Sequence, residues 1–100
     1  MAKVLEALIA RGRRVRRPRE QREVAFGLAD LSTHRDMHIK MVIKGAVRSL
    51  TTLLERSTDA EAQRFSALAL GNICATEKNR APVVNEGALK PMIDFCAARD

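Results

Sequence analysis

The chain has 100 residues, of which 46% are hydrophobic, 3% aromatic and 30% charged, and its formal net charge is +6. This length is enough for one domain and too short for two, and no apolar run approaches the ~20 residues that a membrane-spanning helix requires. Because all three aromatic residues are Phe and the strand-forming residues are not clustered, the composition favours closely packed helices over a sheet.

The positive charge is concentrated near the N-terminus. Residues 11–22 hold one acid, Glu20, and the arginines Arg11, Arg13, Arg14, Arg16, Arg17, Arg19 and Arg22. The rest of the chain holds equal numbers of basic and acidic residues and is neutral. Such a run is typical either of a solvated loop or of a site for nucleic acid, anionic lipid or an import receptor. No aromatic residue lies within it to stack on bases.

Helical periodicity predicts four helices in the first part of the chain. They are a segment at 3–10 (KVLEALIA), a long helix at about 20–33, a short helix at about 37–44 and a further helix at about 47–56. Asp36 is the predicted cap of the short helix, and Gly45 is its predicted end. Pro18 falls just before or within the first turn of the long helix, where its missing N–H is tolerated.

A second long helix is predicted at about 58–75. The sequence TDAE has the Thr-x-x-Glu form of a capping box, with Thr58 as the cap and Glu61 as its partner. A short helix at about 80–85 follows, with Asn79 as its cap. Gly87 ends it, because glycine readily adopts the left-handed conformation of a tight helix end. The last predicted helix begins near Leu89.

The two parts of the chain are related by an ungapped offset of 42 positions. Most aligned pairs are similar, and the identical ones include Gln21 with Gln63, Arg22 with Arg64, Ala25 with Ala67, Leu28 with Leu70, Val42 with Val84, Gly45 with Gly87 and Ala46 with Ala88. Several identities at one offset in so short a chain indicate an internal repeat. A period near this length is typical of helical solenoids.

The order of short helix, glycine turn, middle helix and capped long helix resembles the armadillo repeat family. The resemblance is carried by NRAPVVNEGALKPMI (79–93) and DAEAQRFSALALGNI (59–73), and by EQREVAFGLADLS (20–32) with IKMVIKGAVRSLTTLL (39–54). It implies an all-α, right-handed α-solenoid (superhelix) of armadillo repeats, with three helices per repeat and about two and a half repeats in this chain.

This resemblance also implies a division of the chain. Residues 1–15 would form the middle helix of a partial first repeat with its basic loop. Residues 16–57 would hold the end of the first repeat and the start of the second, and residues 58–100 the long helix of the second repeat and the start of the third. Because such units bury their apolar faces by stacking on neighbours, we expect the chain to be a fragment of a longer array.

The function implied by the resemblance is that of a protein–protein interaction scaffold. In importin-α- and β-catenin-type proteins the long helices line a concave groove that holds an extended peptide, and a large residue lies four positions before an Asn. The matching pairs here are Leu68 with Asn72 and Phe26 with Asp30. The expected peptide groove therefore consists of Arg22, Phe26, Asp30, Arg64, Leu68 and Asn72, which helical spacing places on matching faces.

Departures from the family pattern change the kind of partner that is expected. Neither copy has Trp, and Asp30, when ionised, keeps only the acceptor role of an amide. The acidic positions of importin-α-type grooves hold His34 and Thr76, whereas arginines lie on the groove face, so an acidic or phosphorylated partner is favoured over a basic signal. Other interpretations stay open. Asn72 could bond only a neighbouring turn, or the basic segment Arg11–Arg22 could bind nucleic acid or an anionic membrane. The chain could also be a purely structural spacer in a long array, or a regulatory repeat region attached to an enzyme.

No enzyme activity, cofactor or metal is expected. Ser49, Ser57 and Ser66 lack a His–acid arrangement, and no Gly-rich phosphate loop is present. His34 and His38 span a predicted helix junction without a third ligand. Cys74 and Cys96 show no metal spacing and are expected to be reduced thiols, which favours a cytoplasmic location with a nuclear one as the alternative.

Overall fold

The computed structural model describes residues 2–98, and in this range the chain is all-helical, as predicted. The α-helices are α1 (Ala2–Gly12), α2 (Pro18–Ser32), α3 (His38–Lys44), α4 (Ala46–Arg56), α5 (Ala60–Cys74), α6 (Arg80–Asn85) and α7 (Leu89–Ala98). Two short 3₁₀ helices, Arg35–Met37 and Glu77–Asn79, lead directly into α3 and α6. None of the helices within residues 2–98 combines the length and the apolar character needed to cross a bilayer.

The helix boundaries recur at the offset of 42 positions. The helices α2 and α5 have 15 residues each and begin at positions 18 and 60, and the short helices α3 and α6 begin at positions 38 and 80. Gly45 and Gly87 both adopt positive φ, 96° and 84°. This conformation costs a residue with a Cβ about 1–2 kcal/mol, which explains glycine at both helix ends. The repeat in sequence is therefore also a repeat in local structure.

Side-chain hydrogen bonds at the helix junctions recur at the same offset. At the start of the long helices, Gln21 Nε2 donates to Val15 O (3.3 Å) and Gln63 Nε2 donates to Ser57 O (3.0 Å). At their far ends, the carbonyl of Ser32 accepts from His38 Nε2 (2.7 Å), and the carbonyl of Cys74 accepts from Arg80 Nε (2.9 Å). Each bond spans six residues and closes one turn between two helices.

The caps differ from those predicted. Asp59, not Thr58, caps α5: its Oδ2 accepts from Ala62 N at 2.8 Å, so the cap lies one residue later than expected. Asp36 does not cap α3, because a 3₁₀ helix intervenes and Met37 takes the cap position. Asn79 lies at the predicted cap position of α6, but its Nδ2 donates to Ile73 O (3.1 Å) and makes no cap bond.

The hydrophobic core lies where helices related by the repeat meet. The helix α2 packs against α5, α1 against α4, and α4 against α7, while α4 also packs against α5. The largest fully buried side chains come from several of these helices and include Leu5, Leu28, Leu50, Leu53, Leu70 and Ile73. The radius of gyration is 12.0 Å, close to the ~13 Å of a compact body of this length.

Candidate functional site

The predicted groove residues lie on α2 and α5, which run side by side in the same direction. Three contacts establish this direction: Arg22 meets Asp59 at the start of both helices, Phe26 meets Phe65 in the middle, and Ser32 meets Asn72 near the end. The exposed surface along these contacts is called the α2–α5 face below. It contains Arg22, Phe26, Asp30, Arg64, Leu68 and Asn72.

The middle of the α2–α5 face is apolar and open to solvent. The side chains of Phe26 and Leu68, equivalent in the repeat, are 56% and 52% exposed. The rings of Phe26 and Phe65 meet edge to face with their centroids 5.3 Å apart, an arrangement that stabilises aromatic pairs beyond simple burial. Sequence reasoning missed Phe65. The sequence did offer a signal for it: the chain has only three aromatic residues, all Phe, and two of them, Phe26 and Phe65, meet here.

The predicted cations of this face are paired with carboxylates. Arg22 holds Asp59 in a two-pronged contact, with Nη2–Oδ1 at 2.8 Å and Nε–Oδ2 at 3.2 Å. Arg64 pairs with Glu61. Asp30 is exposed and has no ion pair among the described residues. The two guanidinium groups are therefore neutralised locally, and Asp30 is left as an uncompensated charge.

Asp59 has two functions at once, because it caps α5 and binds Arg22. The hydrogen bond from Arg22, followed by the one from the backbone N–H of Ala62, lowers the pKa of the Asp59 carboxyl below its ordinary value. The same contact raises the pKa of Arg22. Both effects favour the charged forms, so the contact joins the two long helices most strongly when Asp59 is ionised.

Replacement of Asp59 by Asn is expected to lower stability at pH 7 and to matter less in acid. A carboxyl with a lowered folded-state pKa contributes stability above its unfolded pKa of about 3.9 and loses it as the pH falls through the folded value. Urea unfolding at pH 7 and near pH 2.5 measures the difference. Asp30→Asn, which removes an unpaired carboxylate, is the control with a small effect at both pH values. A constant deficit of Asp59→Asn across this range would contradict the role of its charge.

Asn72 joins α5 to α2 and keeps part of its hydrogen-bonding capacity. Its Nδ2 donates to Ser32 Oγ (3.1 Å), and that hydroxyl donates to Ala29 O (2.6 Å). The partner is thus a side chain of the neighbouring long helix and not a turn. An amide has two N–H donors and one acceptor oxygen, so one N–H and Oδ1 of the half-buried Asn72 have no partner among the described residues.

The two histidines lie beside this end of the α2–α5 face. His38 is buried, and with Nε2 donating to Ser32 O its Nδ1 accepts from Thr76 Oγ1 (2.8 Å). Both ring nitrogens are therefore occupied, which leaves no lone pair for a metal. His34 is exposed. Residues 2–98 contain no group of three or more His, Cys, Asp or Glu side chains placed to hold a metal ion.

Apart from Arg22, the arginines of the basic segment lie away from the α2–α5 face. Arg11 ends α1, and Arg13, Arg14, Arg16 and Arg17 lie in the connection from α1 to α2. Arg19 pairs with Glu23 at 3.5 Å. The other five have no ion pair within the described part of the chain. The two recesses that these arginines line share no residue with the α2–α5 face.

Comparisons of the chain with protein-family models, with curated proteins and with solved structures find no match. A function can therefore be inferred only from the internal repeat and from the geometry of the surfaces described above.

Proposed function

We propose that the chain is a segment of a right-handed armadillo-type α-solenoid whose α2–α5 face binds an extended peptide of a partner protein. The observation that carries this proposal is the pair of exposed apolar side chains, Phe26 and Leu68, at equivalent positions on adjacent long helices. Large exposed apolar side chains at a shared surface are typical of interaction sites. The recurrence of helix ends, glycine turns and junction bonds at 42 positions supports the armadillo-type repeat.

The spacing of the long helices suits an extended ligand. Packed helices lie about 8–10 Å apart, and an extended chain rises about 3.3 Å per residue, so about three peptide residues separate equivalent points on α2 and α5. In this arrangement apolar peptide side chains pack against Phe26 and Leu68. The unused N–H and Oδ1 of Asn72 bond the peptide backbone, which requires no particular sequence.

The charges of the face bear on the choice of partner. Arg22 and Arg64 are each paired with a carboxylate, so they supply less attraction for an acidic partner than free guanidinium groups would. Asp30 is an exposed acceptor next to the apolar centre. Apolar contact and backbone hydrogen bonding are therefore proposed as the main sources of affinity, with charge as a secondary influence.

Peptides selected from a random display library with the full chain provide the test. The double variant Phe26→Ala/Leu68→Ala is expected to bind the selected peptides at least about tenfold more weakly, since a buried aromatic anchor often supplies more than 1.4 kcal/mol. Ile43→Ala is the control, because Ile43 is 74% exposed on another helix, α3. The proposed peptide groove would be contradicted if no peptide were selected, or if Phe26→Ala/Leu68→Ala and Ile43→Ala lost peptide affinity equally.

A second candidate is binding of nucleic acid or an anionic membrane through the basic segment. The observation in its favour is that Arg11, Arg13, Arg14, Arg16 and Arg17 have no ion pair within residues 2–98. Replacing these arginines by serine separates the two functions: it should abolish binding to anionic polymers or lipids and leave binding of the selected peptides unchanged.

A further inference from the structure

A recess lies between the α1–α2 connection and the C-terminal half of α4. Its volume is about 510 Å³, and four arginines line it: Arg13, Arg14, Arg16 and Arg56. No carboxylate contributes to its lining. Arg56 lies far from the basic segment in sequence and is brought to it by the packing of α4. We call these residues and the space between them the arginine recess.

The four arginines lack counter-ions. None of them forms an ion pair with a carboxylate within residues 2–98, whereas Arg19, Arg22 and Arg64 each do. Guanidinium groups remain charged at any physiological pH. Like charges around one concave surface repel one another and focus a positive potential into it, so the recess, lined by Arg14, Arg16 and Arg56 as well as by Arg13, attracts anions.

Helix ends explain only part of this clustering. Arg56 is in the last turn of α4, where a cation interacts favourably with the helix dipole. Arg14 and Arg16 lie beyond the end of α1, in the connection to α2. Arg13 also lines the recess, but its guanidinium is directed towards Gly45 at the start of α4, with Nη2 2.8 Å from the position that a Cβ would take there.

A buried side chain holds the walls of the recess together. Gln21 is 8% exposed; its Nε2 donates to Val15 O (3.3 Å), and its Oε1 accepts from Ser57 Oγ (2.7 Å). Val15 lies between Arg14 and Arg16, and Ser57 directly follows Arg56. The two segments that carry the arginines are thereby fixed to the same amide group, so the recess is preorganised and not a chance meeting of mobile loops.

We propose that the arginine recess binds a compact anion with clustered phosphate groups, such as an inositol polyphosphate or a phosphorylated lipid headgroup. The planar guanidinium fork matches phosphate oxygens in paired hydrogen bonds. The three positive charges of Arg14, Arg16 and Arg56 exceed what one phosphate can neutralise, which favours a ligand with several phosphate groups. The volume of about 510 Å³ falls within the roughly 300–1,000 Å³ of small-molecule sites. This site is separate from the proposed peptide groove.

Calorimetric titration of the full chain with inositol hexakisphosphate at physiological salt tests the site. The variant Arg14→Gln/Arg56→Gln is expected to weaken binding at least about tenfold, because it removes two charge-assisted contacts. The control Arg19→Gln/Arg48→Gln removes the same charge from exposed residues outside the recess and should weaken binding less than about threefold. Circular dichroism melting verifies that both variants remain folded.

Three further results decide the proposal. Cosedimentation with phosphatidylcholine vesicles containing phosphatidylinositol bisphosphate, reversed by inositol hexakisphosphate, supports the site with a lipid headgroup as its ligand. Binding of the soluble compound without cosedimentation supports the site with a soluble polyphosphate as its ligand. If the unmodified chain does not bind inositol hexakisphosphate, or if both double variants weaken that binding equally, the proposed site is contradicted and any anion binding is due to diffuse surface charge.

Discussion

Replacement of Leu70 by alanine is expected to lower the free energy of unfolding by about 2–5 kcal/mol. The Leu70 side chain on α5 is 0% exposed, so the change removes buried methyl groups and leaves a cavity that the packed helices can fill only in part. A domain of this size has a total stability of about 5–15 kcal/mol. Urea unfolding followed by circular dichroism should show a midpoint shifted strongly to lower concentration.

Leu68→Ala is the matched control for this experiment. It makes the same chemical change in the same helix two residues earlier, but the side chain is 52% exposed, so the expected loss is within about 1 kcal/mol. Equal losses at the two positions would show that α5 faces the core differently from the arrangement described above. The same variant forms part of the peptide-binding test, so a small stability loss separates a defect in binding from a defect in folding.

Replacement of Gln21 by Met is expected to cost about 2–4 kcal/mol, because it removes two hydrogen bonds, leaving the buried Ser57 O–H without its acceptor and the Val15 carbonyl without this donor. Met has a similar length and preserves most of the packing, so the loss reports the polar contacts. The bonds in question join Gln21 to Val15 O and to Ser57 Oγ. The urea midpoint of the variant measures the effect.

The repeat supplies the control, Gln63→Met. Gln63 occupies the equivalent position on α5 but makes a single hydrogen bond, from Nε2 to Ser57 O, and is only partly buried. Its replacement should therefore cost about 0.5–1.5 kcal/mol. If both variants lost the same amount, the contact between Gln21 and Ser57 Oγ would contribute nothing and the preorganisation of the arginine recess would be in doubt.

Helical periodicity predicted the elements and their order well, because the apolar spacing of each helix is a property of consecutive residues. The short helix at 80–85 and the glycine ends at Gly45 and Gly87 coincide with the observed ones. The caps were predicted less well. Thr58 and Asp59 both suit a cap, and the local sequence does not display the contact from Arg22, which holds the Asp59 carboxylate from 37 residues away.

For the candidate site, too, some features could be predicted from the sequence and others depended on how the helices pack. The exposure of Phe26 and Leu68 follows from their spacing relative to the buried Leu28 and Leu70, which the sequence displays. The pairing of Arg22, the ring contact of Phe65 and the bond from Asn72 to Ser32 required the side-by-side placement of α2 and α5. Arg56 joined the arginine recess for a similar reason, since only the packing of α4 brings it there.

The junction bonds that span six residues have a consequence for how such a chain can lengthen. Gln63 with Ser57, His38 with Ser32 and Arg80 with Cys74 each fix a corner between helices using residues close together in the gene. A duplicated 42-residue coding segment therefore carries the instructions for its own corners. These corners do not depend on the exposed residues of the α2–α5 face, where the equivalent positions hold Asp30 and Asn72.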